Sequence, residues 1–229
     1  MKKYAVISGD IVSSTSLGET ARVELYGQLE KLVLKLMQDF DCYARISKGD
    51  YIECVCRRPS EALRIALIIK SYIKSLDLKV KKNNSRTKNF STHGLRMAIG
   101  YGELGILDTE NDIIDGQAIF MAGRKINAYS SHNKERVVLK QTTFFVSEEE
   151  QLNFHLSPNF ALLDVLCNKA TAKQSEVLYF KLQGMTETEI AEKLGVSQSV
   201  INQHSTALGW NAIEESVEYY KNIIKQALK

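Results

Sequence analysis

Two short stretches, YAVISGDIVSST (Tyr4 to Thr15) and RISKGDYIECVC (Arg45 to Cys56), limit most sharply what this chain can fold into. In the first, the apolar run Tyr4 to Ile7 predicts a buried strand, and Asp10 falls where that run gives way to Gly, Ser and Thr. A carboxylate at a strand's end points out of the core. In the second, two β-rich runs flank Lys48-Gly49-Asp50, which predicts a tight hairpin whose turn Gly supplies and Asp tolerates. If the hairpin lies beside the first strand, Asp10 and Asp50 converge, and two hard carboxylates in one place make a site for Mg²⁺ or Mn²⁺ with a bound phosphate. The same residues also suit a plain turn or a helix N-cap, so the site reading depends on the motifs that accompany them.

The chain of 229 residues has room for one medium domain and a small one. No run of about 18 uncharged apolar residues occurs, and the N-terminus enters a strand at once, so the expected location is the cytoplasm with no membrane partner. Cys42, Cys54, Cys56 and Cys167 lack zinc-type spacing and read as buried thiols. The net charge of +3 is unevenly spread: residues 160 to 229 carry −1, and much of the positive excess lies in LKVKKNNSRTKNFSTHGLR, with Lys79, Lys81, Lys82, Arg86, Lys88 and Arg96. With little apolar periodicity, that segment reads as a mobile surface loop.

Apolar residues at intervals of three and four predict one helix between Leu17 and Phe40 and a second opening at Pro59-Ser60-Glu61. An alternating strand follows at Leu95 to Gly102, then a helix over Gln117 to Tyr129 and a short strand over Arg136 to Lys140. The order strand, helix, strand, strand, helix, strand, helix, strand predicts an α+β domain over residues 1–150, a ferredoxin-like or palm sheet with helices on one face. Beyond a break at Ser157-Pro158-Asn159, residues 158–229 read as an all-α domain. In it Ile190, Ala191 and Leu194 face inward, Gly195 turns the chain, Val196 packs, and Ser197 caps a helix with Val200 and Ile201 inside, which is helix-turn-helix spacing. The exposed face of that helix holds Gln198, Ser199, Asn202, Gln203 and His204, side chains suited to base and phosphate contact, although none is Lys or Arg.

Taken in order, these motifs resemble the class III nucleotidyl cyclases. Asp10-Ile11-Val12-Ser13-Ser14-Thr15, Gly49-Asp50, the R-x-G-I-x-x-G-like run Arg96 to Gly102, and Gly116 with Arg124 eight residues on carry the resemblance over the first two thirds of the chain. GDIVSS, KGDYIE and DGQAIFMAGR, with the helix-turn-helix, are similar over essentially the whole chain to the SatD family of bacterial proteins. The resemblance implies that Asp10, Asp50 and the carbonyl of Ile11 hold metal, and that Arg124 of an opposing protomer steadies charge on the reacting phosphate. It makes Ser13, Ser14, Thr15 and Gly49 candidates for nucleotide contact. Phe120, Ile46 and Ile113 stand where the cyclase pattern has polar ribose- and base-reading residues. These features point first to a homodimeric DNA-binding transcriptional regulator whose first domain binds a nucleoside triphosphate or cyclic nucleotide; the alternatives are a nucleotidyl cyclase forming a cyclic nucleotide and a dimerisation or protein-interaction module.

Overall fold

The computed structural model describes residues 2–47, 49–78, 85–128 and 141–228. Lys48, the lysines at 79, 81 and 82, and the strand expected over Arg136 to Lys140 lie outside these residues. The first half runs β1 (Lys3–Ile11), α1 (Glu19–Asp39), β2 (Cys42–Ser47), β3 (Tyr51–Cys56), α2 (Ala62–Ser75), α3 (Ser85–His93) and β4 (Leu95–Glu103). There follow β5 (Ile106–Asp108), β6 (Ile113–Asp115), α4 (Gln117–Ala128) and β7 (Thr143–Ser147). The chain ends in α5 (Glu150–Lys169), α6 (Ala172–Leu182), α7 (Glu187–Leu194), α8 (Gln198–Leu208) and α9 (Trp210–Ala227).

The main sheet has the order β2-β3-β1-β4-β7, antiparallel except for the β4–β7 pair, and β5–β6 forms a separate hairpin. Its first four strands are the ferredoxin-like layout expected from the element order. Strand alternation divides β1 cleanly. Ala5, Ile7 and Ile11 join the main core with Leu25, Leu29 and Leu32 of α1 and Ile65 and Ile69 of α2, whereas Val6 joins Val55 of β3 and Ala118 of α4. Helices therefore cover both faces, which corrects the expected single helical face. The added helix is α4, which the glycines of β4 let sit very low: a Cβ on Gly100 would lie 2.0 Å from the Ala118 carbonyl oxygen, and one on Gly102 would lie 2.7 Å from Gln117 Oε1.

Three further expectations change. The basic segment is a helix over Ser85–His93, because Phe90 is buried beneath it. Pro158 does not break the chain: α5 runs through it, held by Leu152, Leu156, Phe160, Leu163 and Cys167, all buried on one side. Val196 is exposed instead of packed. All four cysteines are free and buried, as their spacing predicts. The C-terminal helices share the main core, to which Leu182, Leu208, Ile213, Tyr220 and Ile224 contribute. The Arg64 Nε–H donates to Leu182 O at 2.6 Å and the Tyr220 hydroxyl to Pro59 O at 3.2 Å, tying α6 and α9 to the opening of α2.

The start of β4 is fixed by a buried polar node. Lys70 of α2, 1% exposed, donates to Leu95 O at 2.7 Å, His93 O at 3.2 Å and Thr142 Oγ1 at 2.9 Å. Burial lowers its ammonium pKa, opposed by the nearby Asp164 carboxylate. Asp164 in turn accepts from the Thr142 backbone N–H at 2.9 Å and from the Thr142 and Thr143 hydroxyls at 2.6 and 2.8 Å. The Lys70 ammonium and the Asp164 carboxylate are thus both hydrogen-bonded, the condition under which buried charges are tolerated.

The glycine packing gives a paired test of the fold. Gly100→Ala forces α4 off the sheet and should cost about 3 kcal/mol in denaturant unfolding. Gly27→Ala, inside α1 with nothing within 4 Å of the new Cβ, should instead stabilise by about 1 kcal/mol.

Candidate functional site

The two acidic stretches meet at one end of the sheet. β1 pairs with β3 so that Asp10 lies opposite Tyr51, and the next rung is a hydrogen bond from the Ile11 N–H to the Asp50 carbonyl, 3.0 Å. Gly49 turns the hairpin at φ +86°, and it lies so close under α1 that a Cβ would fall 1.6 Å from the Tyr26 hydroxyl. The backbone conformation favours glycine there, and any side chain would also have to displace the Tyr26 hydroxyl.

After Ile11 the chain enters a 3-10 turn over Ser14–Ser16, preceded by Ser13 in the left-handed region at φ 59°. A non-glycine residue held there is a local cost of about 1 kcal/mol or more. The turn carries Ser14 to the hairpin, where its hydroxyl donates to Asp50 Oδ2. Ser14 is buried, Ser13 half-buried and Thr15 exposed, and among the described hydrogen bonds Ser14 is the one of the three that meets an acidic side chain.

Asp10 takes a different partner. It lies opposite Arg96 in the β1–β4 ladder, and the guanidinium grips it side-on, Nε to Oδ1 at 2.9 Å and Nη2 to Oδ2 at 2.5 Å. The side chains are 26% and 13% exposed, so the pair is partly withdrawn from water. Arg96 lies in β4, within the strand expected over Leu95 to Gly102, and its place in the R-x-G-I-x-x-G-like run is the sequence signal for its role. The two acidic segments are thus hydrogen-bonded neighbours, while their carboxylates are held by separate partners, Arg96 and Ser14. In a regular ladder one rung of offset sends side chains to opposite faces, and Asp50 lies in the turn just outside β3.

The face shared by Asp10 continues into charged and phenolic groups. Tyr51 packs with Ala98, Ala122 and Phe144 beneath α4, and burial pushes its phenol up. Arg45 and Glu53 form a salt bridge at 2.6 Å, with the Arg45 guanidinium also donating to the Asp112 carbonyl. Asp112, at φ 60° on the β5–β6 hairpin, accepts from the Tyr43 hydroxyl, whose pKa burial and that carboxylate push up to about 12. This network pins the small hairpin to the outer face of β2 and β3.

Arg124 lies on the outward stripe of α4 with Phe120 and Asn127, all exposed, while Ala118, Ala122 and Ile126 face the sheet. Phe120 is 51% exposed. Among the described residues no group of three or more His, Cys, Asp or Glu could hold a metal ion. The donor chemistry of Asp10, Asp50 and the Ile11 carbonyl nevertheless fits Mg²⁺ or Mn²⁺, which take one or two carboxylates and complete their shell with water and substrate phosphate.

At the other end of the chain, α7 and α8 are joined by Gly195, Val196 and Ser197, with Gly195 in the left-handed conformation. Thr186 and Glu189 form a capping box at the start of α7. Val177, Ile190, Ala191 and Ile201 make a small core under the two helices. Gln198, Ser199, Asn202 and Gln203 are exposed and His204 is half-buried. Gln198 and Asn202 both donate to Glu187 Oε2, at 2.8 and 3.4 Å, and Lys181 bridges to the same carboxylate at 3.2 Å. Ser197 makes no side-chain cap; its hydroxyl meets that of Ser199.

No protein-family model and no curated protein matches this chain. Solved structures similar to it include nucleotidyl cyclases. A bacterial light-regulated adenylyl cyclase shows 16% identity and a TM-score of 0.44 over 62% of this chain and 42% of its own, so this chain spans less than half of it. The adenylate cyclases of Trypanosoma brucei, in their monomeric state, show 17% identity and a TM-score of 0.40 over 58% of this chain and 71% of theirs. The guanylyl cyclase Cya2 shows 14% identity and a TM-score of 0.36 over 55% and 70%. Among the described residues no helix is long and apolar enough to cross a membrane.

Proposed function

We propose that this chain binds a nucleoside triphosphate together with Mg²⁺ or Mn²⁺ at the Asp10–Asp50 end of its sheet, as a nucleotidyl cyclase-type domain. The observation that carries this reading is the hydrogen bond joining Ile11 to Asp50, which makes one continuous backbone platform of the two acidic segments. Asp10, Asp50 and the Ile11 carbonyl would hold the cation, whose chemistry when bound is to neutralise charge on the phosphates. Ser13, Ser14, Thr15 and Gly49 border that platform. Arg124 faces away from the sheet on its own chain, so the reading assigns it to the site of a second copy, in a homodimer, where it would offset charge developing on the reacting phosphate. Cyclisation to a cyclic nucleotide is the reaction such a constellation serves. The test is titration of a fluorescent nucleoside triphosphate with and without Mn²⁺, alongside chromatography for cyclic product from each of the four triphosphates. Metal-dependent binding should weaken at least about tenfold, or 1.4 kcal/mol, in an Asp10→Asn, Asp50→Asn double variant. Binding indifferent to both metal and the double variant contradicts the reading.

A second reading, a DNA-contacting regulator, is favoured by one observation: α7, the Gly195 turn and α8 have helix-turn-helix spacing, with Gln198, Ser199, Asn202, Gln203 and His204 along the second helix. Two carboxylates in the first turn of α7 oppose phosphate there, and Glu187 engages Gln198 and Asn202. On this reading, Glu187→Ala frees both amides and removes a negative charge. It should raise DNA affinity several-fold in gel retardation at low salt, and Asn202→Ala with Gln203→Ala should lower it. No retardation of any fragment by any of the three proteins rejects DNA contact.

A further inference from the structure

The Asp10–Arg96 pair poses a question that a cation site at Asp10 and Asp50 does not by itself answer. A side chain expected to take a cation already holds one, in two-point geometry, with Nε and Nη2 at 2.9 and 2.5 Å from the two carboxylate oxygens. The guanidinium has no other acceptor among the described hydrogen bonds and ion pairs. Both residues are strand residues directly opposite each other, and β4 is anchored one residue earlier by Lys70 on the Leu95 carbonyl. The geometry is therefore built into the sheet and does not depend on a mobile loop.

We infer that Arg96 is an internal stand-in for the metal: it neutralises Asp10 while no phosphate is present and transfers to a phosphate oxygen when the metal–triphosphate arrives. This role rests on the proposed metal–triphosphate site. The exchange is balanced in charge. A divalent cation reaching Asp10 alone must break two charge-assisted hydrogen bonds and leave a guanidinium, 13% exposed, beside it without its counter-ion. A cation arriving with a polyphosphate supplies Arg96 with new oxygens of matching fork geometry. Metal and polyphosphate consequently help each other, and by linkage each tightens the other's binding by the same factor. The arrangement gives a chain with few acidic ligands a means of ignoring free metal and responding to the chelate.

Removing Arg96 should thus have effects of opposite sign on two ligands. Using the full chain, Mn²⁺ alone is titrated by the loss of its free-ion electron paramagnetic resonance signal, and the Mn²⁺–tripolyphosphate chelate by calorimetry. Arg96→Gln should bind Mn²⁺ alone roughly tenfold more tightly and the chelate roughly tenfold more weakly than the parent. Arg96→Lys, which keeps the charge and loses the fork, should move both in the same senses by smaller factors, and it carries the test if Arg96→Gln does not fold by circular dichroism. A loss of affinity for both ligands, or no change in either, overturns the stand-in role while leaving the metal site standing. If neither the parent nor the variants bind Mn²⁺ or the chelate, or an Asp10→Asn, Asp50→Asn variant binds them unchanged, the site itself fails and the stand-in role fails with it.

Discussion

The candidate site depends on β1 being paired along both edges. With β3 on one side and β4 on the other, each residue from Ala5 to Asp10 has a fixed partner in both ladders. That double register sets Asp10 between Tyr51 and Arg96, and sets the Ile11 N–H against Asp50. A strand at the edge could slip; a central one cannot without sending its whole buried face, Ala5, Ile7 and Ile11, into the opposite layer. The charges at the end of β1 are therefore held in place by the hydrophobic alternation of its interior.

Two further constraints keep that end open while closing the rest. Gly100 and Gly102 let α4 rest on β4 with its first turn nearly touching the sheet, so the helix covers Ala98 and Val6. On the opposite face α1, α2 and the C-terminal helices bury the other side chains of β1 and β4, and the Lys70–Asp164 node ties the beginnings of β4 and β7 together. Charged groups of the sheet gather near Asp10, Tyr51 and Arg96, while the buried hydroxyls of Ser8 and Tyr101 lack a hydrogen-bond partner among the described residues. The placement of α5 on the same core explains why Pro158 is tolerated: the residues that keep the helix in place are on its buried side, and the residue deprived of a donor is on the exposed one.

Much of this was legible in the residues alone. Strand alternation and helical spacing predict the order of elements, and the Gly49-Asp50 pair predicts the hairpin turn. Other features were invisible for physical reasons. The partner of Asp10 is 86 residues away, and although the R-x-G-I-x-x-G-like run singles out Arg96, nothing local to it says which carboxylate it meets. The helix over Ser85–His93 has weak amphipathicity and is explained by one buried side chain, Phe90. Pro158 reads as a break because propensity is local, whereas the packing that overrides it is tertiary. The Glu187 tether of Gln198 and Asn202 likewise needs a helix–helix angle that spacing does not supply.

The helical tail adds to the same core, and its surface between α7 and α8 is knit by hydrogen bonds to a single carboxylate, whereas the acidic end of the sheet is knit by a guanidinium and a serine hydroxyl. The central claim is that, of these two surfaces, the one that binds a cation is the end of the sheet built by β1 and the β2–β3 hairpin. Amide-resolved NMR during addition of trace Mn²⁺ with a non-hydrolysable triphosphate tests it most directly. The account predicts selective paramagnetic broadening of the amides of Asp10 to Ser14 and of Gly49 to Tyr51, with α7 and α8 unaffected; broadening centred elsewhere, or spread evenly over the surface carboxylates, would contradict it.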